Sequence, residues 1–250
     1  MDEGSLETRI RHNIEAVRER VAAAAGRAGR DGDSVRLIAV TKTHPLELVR
    51  AAAAGGVRDM GENRVQEASE KHAAWDGEPL RWHLIGHLQR NKARRAAEIF
   101  DLIHSLDSVR LAETLDRYVA GSPRAAAGYR LPVLLQVNIA GEAQKEGFDL
   151  PGGLANREQL GAFYAAVEHI ISLSHLEIRG LMTIAPYVAE AETVRPVFRA
   201  LRALRDELAR RFPAVSWHEL SMGMTGDFEV AVEEGATLVR VGRAIFGERG

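Results

Sequence analysis

The chain has 250 residues, 46% of them hydrophobic, a formal net charge of −2 and no cysteine. That length can bury one large core, the charge argues against a surface built for nucleic acid, and the missing cysteines exclude disulfides, thiolate metal sites and a cysteine nucleophile. Met1–Ser5 is acidic and polar with no signal-peptide core, and no apolar run approaches the roughly 20 residues of a membrane span, so a cytoplasmic protein is expected.

Ile10, Ile14, Val17, Val21 and Ala24 recur at helical spacing and predict a first helix over Leu6–Ala28. Strand and helix patterns then alternate. Strands are predicted at Val35–Lys42, Val57–Met60, Arg81–Ile85, Leu102–Ser105, Val133–Asn138, Ile178–Thr183, Ser216–Ser221 and Thr237–Val241. Helices are predicted at Pro45–Ala54, Arg64–Trp75, Leu88–Ile99, Val109–Ala120, Glu158–Ser172, Val194–Phe212 and Asp227–Glu234, with a short one after Gly242. Eight such units in this length point to a (β/α)8 barrel preceded by one extra helix. A doubly wound open sheet is the alternative, but Thr43-His44-Pro45 stands where its glycine turn belongs. No stretch has the length of a linker, so one domain over 1–250 is expected, with 1–33 as a helix packed on the barrel. The arginines of the helix Val194–Phe212 read as the solvated face of an outer helix.

Lys42 is one of only four lysines, against 29 arginines. It ends the apolar run Leu37-Ile38-Ala39-Val40-Thr41-Lys42. A chain that takes arginine almost everywhere has kept a primary amine here, the one cationic group that can lose its proton and condense with a carbonyl. Desolvation at a strand end would favour that chemistry. The alternative is a lysine that merely ends a strand.

Barrel active sites lie at the C-terminal ends of the strands, and phosphate commonly binds after strands 7 and 8. Those loops, Ser221-Met222-Gly223-Met224-Thr225-Gly226-Asp227 and Gly242-Arg243-Ala244-Ile245-Phe246-Gly247, are the most glycine-rich of the chain. Their N–H groups, with the Ser221 and Thr225 hydroxyls, suit an anion; ordinary turn chemistry with Thr225 or Asp227 as a helix cap is the alternative. Arg240 on the last strand needs an acceptor, either a buried network or a ligand atom. Asn63 lies at the second strand's end, and Asn63 with Gln66 also reads as a capping box. His83 and His87 lack a third partner for a metal. His104, Gln136 and Asn138 read as mouth polar groups or network members. An amine, a phosphate cup and an arginine at one mouth fit a Schiff-base aldolase acting on a phosphosugar, or pyridoxal 5′-phosphate.

The chain resembles the pyridoxal phosphate homeostasis protein family. The resemblance rests on Leu37–Lys42, Gly61-Glu62-Asn63-Arg64-Val65-Gln66-Glu67, Trp82–Lys92, His104-Ser105-Leu106-Asp107, Gly180-Leu181-Met182-Thr183, Leu220–Thr225 and Val239-Arg240-Val241-Gly242, in family order over nearly the whole chain. Thr41 and Thr225, where the family often has serine, and extra residues around Pro151–Asn156 are small departures. The resemblance implies the alanine racemase barrel, the fold type III arrangement, with Lys42 holding pyridoxal phosphate as an internal aldimine and Arg240 facing the pyridine nitrogen. The expected cofactor-binding set is therefore Lys42, Asn63, Ser221, Met224, Thr225, Arg240, Gly242 and Arg243, with no metal. Racemases draw a second acid–base group, a tyrosine, from another domain and a partner subunit. This sequence ends at Gly250, and Tyr187 is its one tyrosine expected near the mouth. A monomeric carrier that supplies the cofactor to apoenzymes is therefore expected rather than an efficient enzyme, with a racemase-like enzyme as the alternative.

Overall fold

The computed structural model describes residues 3–142 and 144–248; residues 1, 2, 143, 249 and 250 of the expected 1–250 domain lie outside the described residues. A long helix, α1 (Glu3–Arg27), opens the chain. Eight parallel strands follow: β1 (Arg36–Val40), β2 (Asp59–Glu62), β3 (Arg81–Leu84), β4 (Leu102–Leu106), β5 (Leu131–Asn138), β6 (Leu176–Met182), β7 (Glu219–Ser221) and β8 (Leu238–Val241). Each pairs with its neighbour in sequence, and β8 returns to β1 through Arg36–Leu238 to Ala39–Val241. The barrel is closed, as the alternation of the sequence predicts. A two-residue strand, Phe148–Asp149, adds outside the barrel to the end of β5.

Helices α2 (Leu46–Ala54), α3 (Val65–Ala74), α4 (Ala93–Ile99), α5 (Val109–Ala120), α6 (Arg157–Ile171), α7 (Arg195–Arg211), α8 (Phe228–Glu233) and α9 (Arg243–Phe246) surround it. Helix α1 lies against α2, α8 and α9 and buries Ile10, Ile14, Val17, Val21 and Ala24, the face its spacing predicts. The main core fills the space between sheet and helices. A smaller one, Ile38, Leu102, Leu134, Met182 and Leu238, plugs the barrel itself. The arginine face of α7 is an outer surface: Arg195 and Arg199 bond Glu234, and Arg195 also bonds Glu233. Among the described residues no helix is long and apolar enough to cross a membrane.

Most boundaries shift by one to three residues from expectation, and three of the differences have a clear local cause. Helix α4 begins at Ala93, because Arg90–Lys92 forms a 3-10 turn first. Strand β7 begins at Glu219, since only Glu219–Ser221 finds partners on β6. Helix α3 begins after Arg64, whose backbone is extended (φ −125°), so Asn63 is not its cap.

Candidate functional site

A cavity of about 270 Å3 opens at the C-terminal ends of the strands, just below the roughly 300–1,000 Å3 usual for small-molecule sites. Of the expected residues, Lys42, Asn63, Met224, Thr225, Arg240, Gly242 and Arg243 line it. Ile38 belongs to the cluster that plugs the barrel and Val40 lines the cavity above it, so the period of two carries Lys42 onto the same side just beyond β1. The chain turns away at once: Thr43 has φ 63°, a costly conformation for a β-branched residue, and its N–H donates to Glu67 Oε1. Gly223 (φ 92°) sits where an added Cβ would lie 2.6 Å from the Ala231 Cβ, so the loop after β7 can fold tightly onto α8 only with glycine there. That fold brings Met224, Thr225 and Gly226 to the cavity, and the Gly223 carbonyl accepts from the Arg240 N–H at 3.0 Å.

Two of the expected phosphate donors have partners within the protein. Ser221 is fully buried and does not line the cavity; its hydroxyl is engaged by His104 Nδ1 (2.8 Å) and by Arg240 Nη1 (2.6 Å). Met224 lines the cavity, but its N–H donates to Asp227 Oδ1. The remaining candidates are the Thr225 hydroxyl and the backbone at Gly226, Gly242 and Arg243. Asp227, the last residue of the glycine-rich loop, also lines the cavity; the apolar wall of Ile184, Pro186 and Val188 was not anticipated, because it belongs to a loop whose approach to the mouth leaves no periodic signal. Tyr187 also borders the cavity, highly exposed, with Arg243 5.9 Å from its ring.

Arg240 is buried, yet among the described residues no carboxylate bonds it. Its Nη2 donates to the Thr183 carbonyl at 2.9 Å, its Nη1 to Ser221. Burial pulls the guanidinium down to about 10, with Asp227 opposing, so it stays charged at neutral pH. Lys42 and Arg243 add cationic groups, against one carboxylate, Asp227, in the lining. Burial pushes that carboxyl up, while the Met224 N–H and Arg240 pull it back. The cavity thus suits an anion.

The other polar candidates have partners elsewhere. Gln136 donates to the Glu146 carbonyl, and Asn138 bonds Glu142 and Asp149, so both pin the loop after β5. His83 bonds His104 and Asp59 inside the barrel. His87 stands apart, 3.1 Å from Asp107 and near Glu146; these three could offer ligand atoms within 4.8 Å of one another, on an exposed surface. Lys71 is buried behind β1 and β2. It donates at 2.7 Å to each of Thr41 O, Glu62 Oε1 and Glu67 Oε1, which accounts for all three of its protons.

Residues 7–250 match the family model for the alanine racemase N-terminal domain. The pyridoxal phosphate homeostasis protein of Aquifex aeolicus is 42% identical over 237 residues, 94% of this chain and 96% of that one. The protein of that name from Escherichia coli K12 is 40% identical over 247 residues, 96% and 97% of the two chains. PipY of Synechococcus elongatus PCC7942, solved without PLP, superposes with a TM-score of 0.81 at 40% identity, over 95% of this chain and all of that one. Its structure with PLP bound gives 0.79 at 39%, over the same shares. Alanine racemase from Clostridium difficile 630 gives 0.70 at 13% identity, over 97% of this chain and 57% of that one, a likeness of fold alone.

Proposed function

Because the chain belongs to the pyridoxal phosphate homeostasis protein family, we propose that it binds pyridoxal 5′-phosphate and holds it for enzymes that need it. One observation carries the assignment to this chain's residues. A single cavity brings the Lys42 amine, the Arg240 cation and the Thr225–Gly226 and Gly242–Arg243 backbone together. These groups match the cofactor's aldehyde, ring nitrogen and phosphate.

When bound, pyridoxal phosphate supplies an electrophilic aldehyde and an electron-accepting ring. Lys42, the lysine of the cavity lining, would hold it through its amine, whereas Lys71 is buried away from the cavity. The Thr225 hydroxyl and the neighbouring N–H groups bind the phosphate. Asn63, which lines the same cavity, would contact the bound cofactor. Arg240 can only donate, so it keeps a facing ring nitrogen unprotonated and weakens the ring as an electron sink. Racemisation needs acid–base groups on both faces of the substrate. Tyr187 is the cavity's one tyrosine and stands 85% exposed, poorly held for proton transfer. These features support storage and release of the cofactor, with slow side reactions at most; transfer to apoenzymes by a single-domain cytoplasmic monomer is part of the same proposal.

The test is absorbance. Purified protein given pyridoxal phosphate should gain a visible band and lose it when an acceptor apoenzyme is added. No band, or amino-acid turnover in the usual enzyme range of about 1–10³ per second, would contradict this function.

A further inference from the structure

The barrel interior carries a hydrogen-bond chain from its base to the cavity. At the base Arg81 clamps Asp59 with two bonds, of 2.7 and 2.6 Å. Asp59 Oδ1 then meets His83 Nε2 at 2.9 Å, His83 Nδ1 meets His104 Nε2 at 3.0 Å, and His104 Nδ1 meets Ser221 Oγ at 2.8 Å. Arg240 Nη1 closes it on Ser221 at 2.6 Å. His104 is on β4 and Ser221 on β7, strands that do not pair, so this link crosses the barrel. Asp59, His83, His104, Ser221 and Arg240 are all buried.

The two ends dictate the direction of every bond between them. An ionised Asp59 only accepts, and Arg240 only donates. Asp59 therefore takes the proton on His83 Nε2, which leaves His83 Nδ1 as acceptor for His104 Nε2–H. His104 Nδ1 then accepts from the Ser221 hydroxyl, whose oxygen accepts from Arg240. Every hydrogen bond is made with both histidines neutral. A proton added at His83 would reverse the run and aim two donors, His104 and Arg240, at one hydroxyl oxygen, displacing the hydroxyl proton. The groups facing His104 agree: Arg36 on β1, His83 on β3 and Arg240 on β8 oppose a positive charge there, and burial opposes it most.

We propose that His83 and His104 are positioning residues that act through Ser221 to fix the Arg240 guanidinium, joining the barrel base to the cavity by a one-way chain. Its consequence for the cofactor rests on the functional reading above, in which Arg240 faces the ring nitrogen; the chain itself does not. Without a carboxylate to hold it, the guanidinium is aimed by two neutral acceptors, Ser221 Oγ and Thr183 O. Loss of His104 frees the Ser221 hydroxyl proton from its acceptor and lets the donor geometry at Arg240 change.

Nitrogen-15 NMR of the histidine-labelled protein without cofactor reads the direction. The chain requires the Nε2–H tautomer at both His83 and His104 between about pH 6 and 8. An Nδ1–H tautomer or an imidazolium at either would overturn it. In protein loaded with pyridoxal phosphate, His104→Leu should shift the visible band and weaken affinity roughly tenfold, within the usual range for coupled sites. His104→Gln, whose amide can donate and accept, should recover most of both. A spectrum and affinity unchanged in folded His104→Leu would refute the coupling. If the unsubstituted protein takes up no pyridoxal phosphate, the functional reading fails, and the tautomers alone decide the chain.

Discussion

Arg81 and Arg240 stand at the two ends of one hydrogen-bond chain and are compensated in opposite ways. At the base, Arg81 is half-exposed and meets Asp59 with both carboxylate oxygens, and Arg36 and Glu219 pair beside it. At the mouth, Arg240 is buried and bonds a hydroxyl and a carbonyl. Burying a charge without a directly bonded counter-ion is costly, and Asp227 offsets that cost at Arg240 only through space. Paired charges at the base are spent on structure, whereas the charge at the mouth is left to meet an anionic or lone-pair ligand.

The largest expected effect comes from breaking the paired end. Asp59→Ala leaves Arg81 and His83 without their acceptor and should cost about 3 kcal/mol in urea denaturation, the low end for a buried pair because Arg81 is half-exposed. At the other end, Arg240→Glu should shift the visible spectrum of the loaded protein toward that of a protonated ring. Loss of a charge-assisted bond should weaken cofactor affinity roughly 10–150-fold.

Ser221→Ala separates the two roles considered for that residue. It should perturb the visible spectrum through Arg240 while leaving the affinity for inorganic phosphate unchanged; a loss of phosphate affinity would restore Ser221 as a phosphate donor. Ser221 lies off the cavity lining for a physical reason. Ser221 sits at the start of a glycine-rich loop, a local pattern that suits phosphate, but its partner His104 is 117 residues away on a non-adjacent strand. Asn63 illustrates the same limit: Asn-x-x-Gln suits a capping box, yet the helix starts beyond Arg64 and Asn63 turns to the cavity. By contrast, β1 and Lys42 were legible, because a strand buried on both faces is a continuous apolar run and a lysine is rare in this chain. The closed barrel was legible from alternation alone, while the Thr43 turn left no signal in a residue that rarely adopts positive φ.

Acid should act on the chain's middle before its base. Burial first, then His83, Arg240 and Arg36, holds His104 well below the usual imidazole range. The unfolded chain protonates it near about pH 6.5 while the folded one resists, so stability is present above that pH and falls as pH drops. One such group contributes a slope of at most about 1.4 kcal/mol per pH unit. Asp59 acts later: burial raises its carboxyl, but Arg81 and His83 outweigh that and hold it low, so its contribution is lost only below about pH 4. Denaturation midpoints of wild type and His104→Gln, compared across this range, should converge as pH falls from 6.5. The smallest effect is the surface control: Arg94→Ala, which removes an exposed pair with Glu98 on α4, should change stability by about 0.3–0.5 kcal/mol or less.

Borohydride reduction of the protein loaded with pyridoxal phosphate, followed by peptide mass mapping, addresses Lys42 most directly. The pyridoxyl mass should lie on the peptide that contains Lys42 and vanish in Lys42→Ala. Its appearance on Lys71, Lys92 or Lys145, or its persistence in Lys42→Ala, would contradict the assignment of the cavity amine.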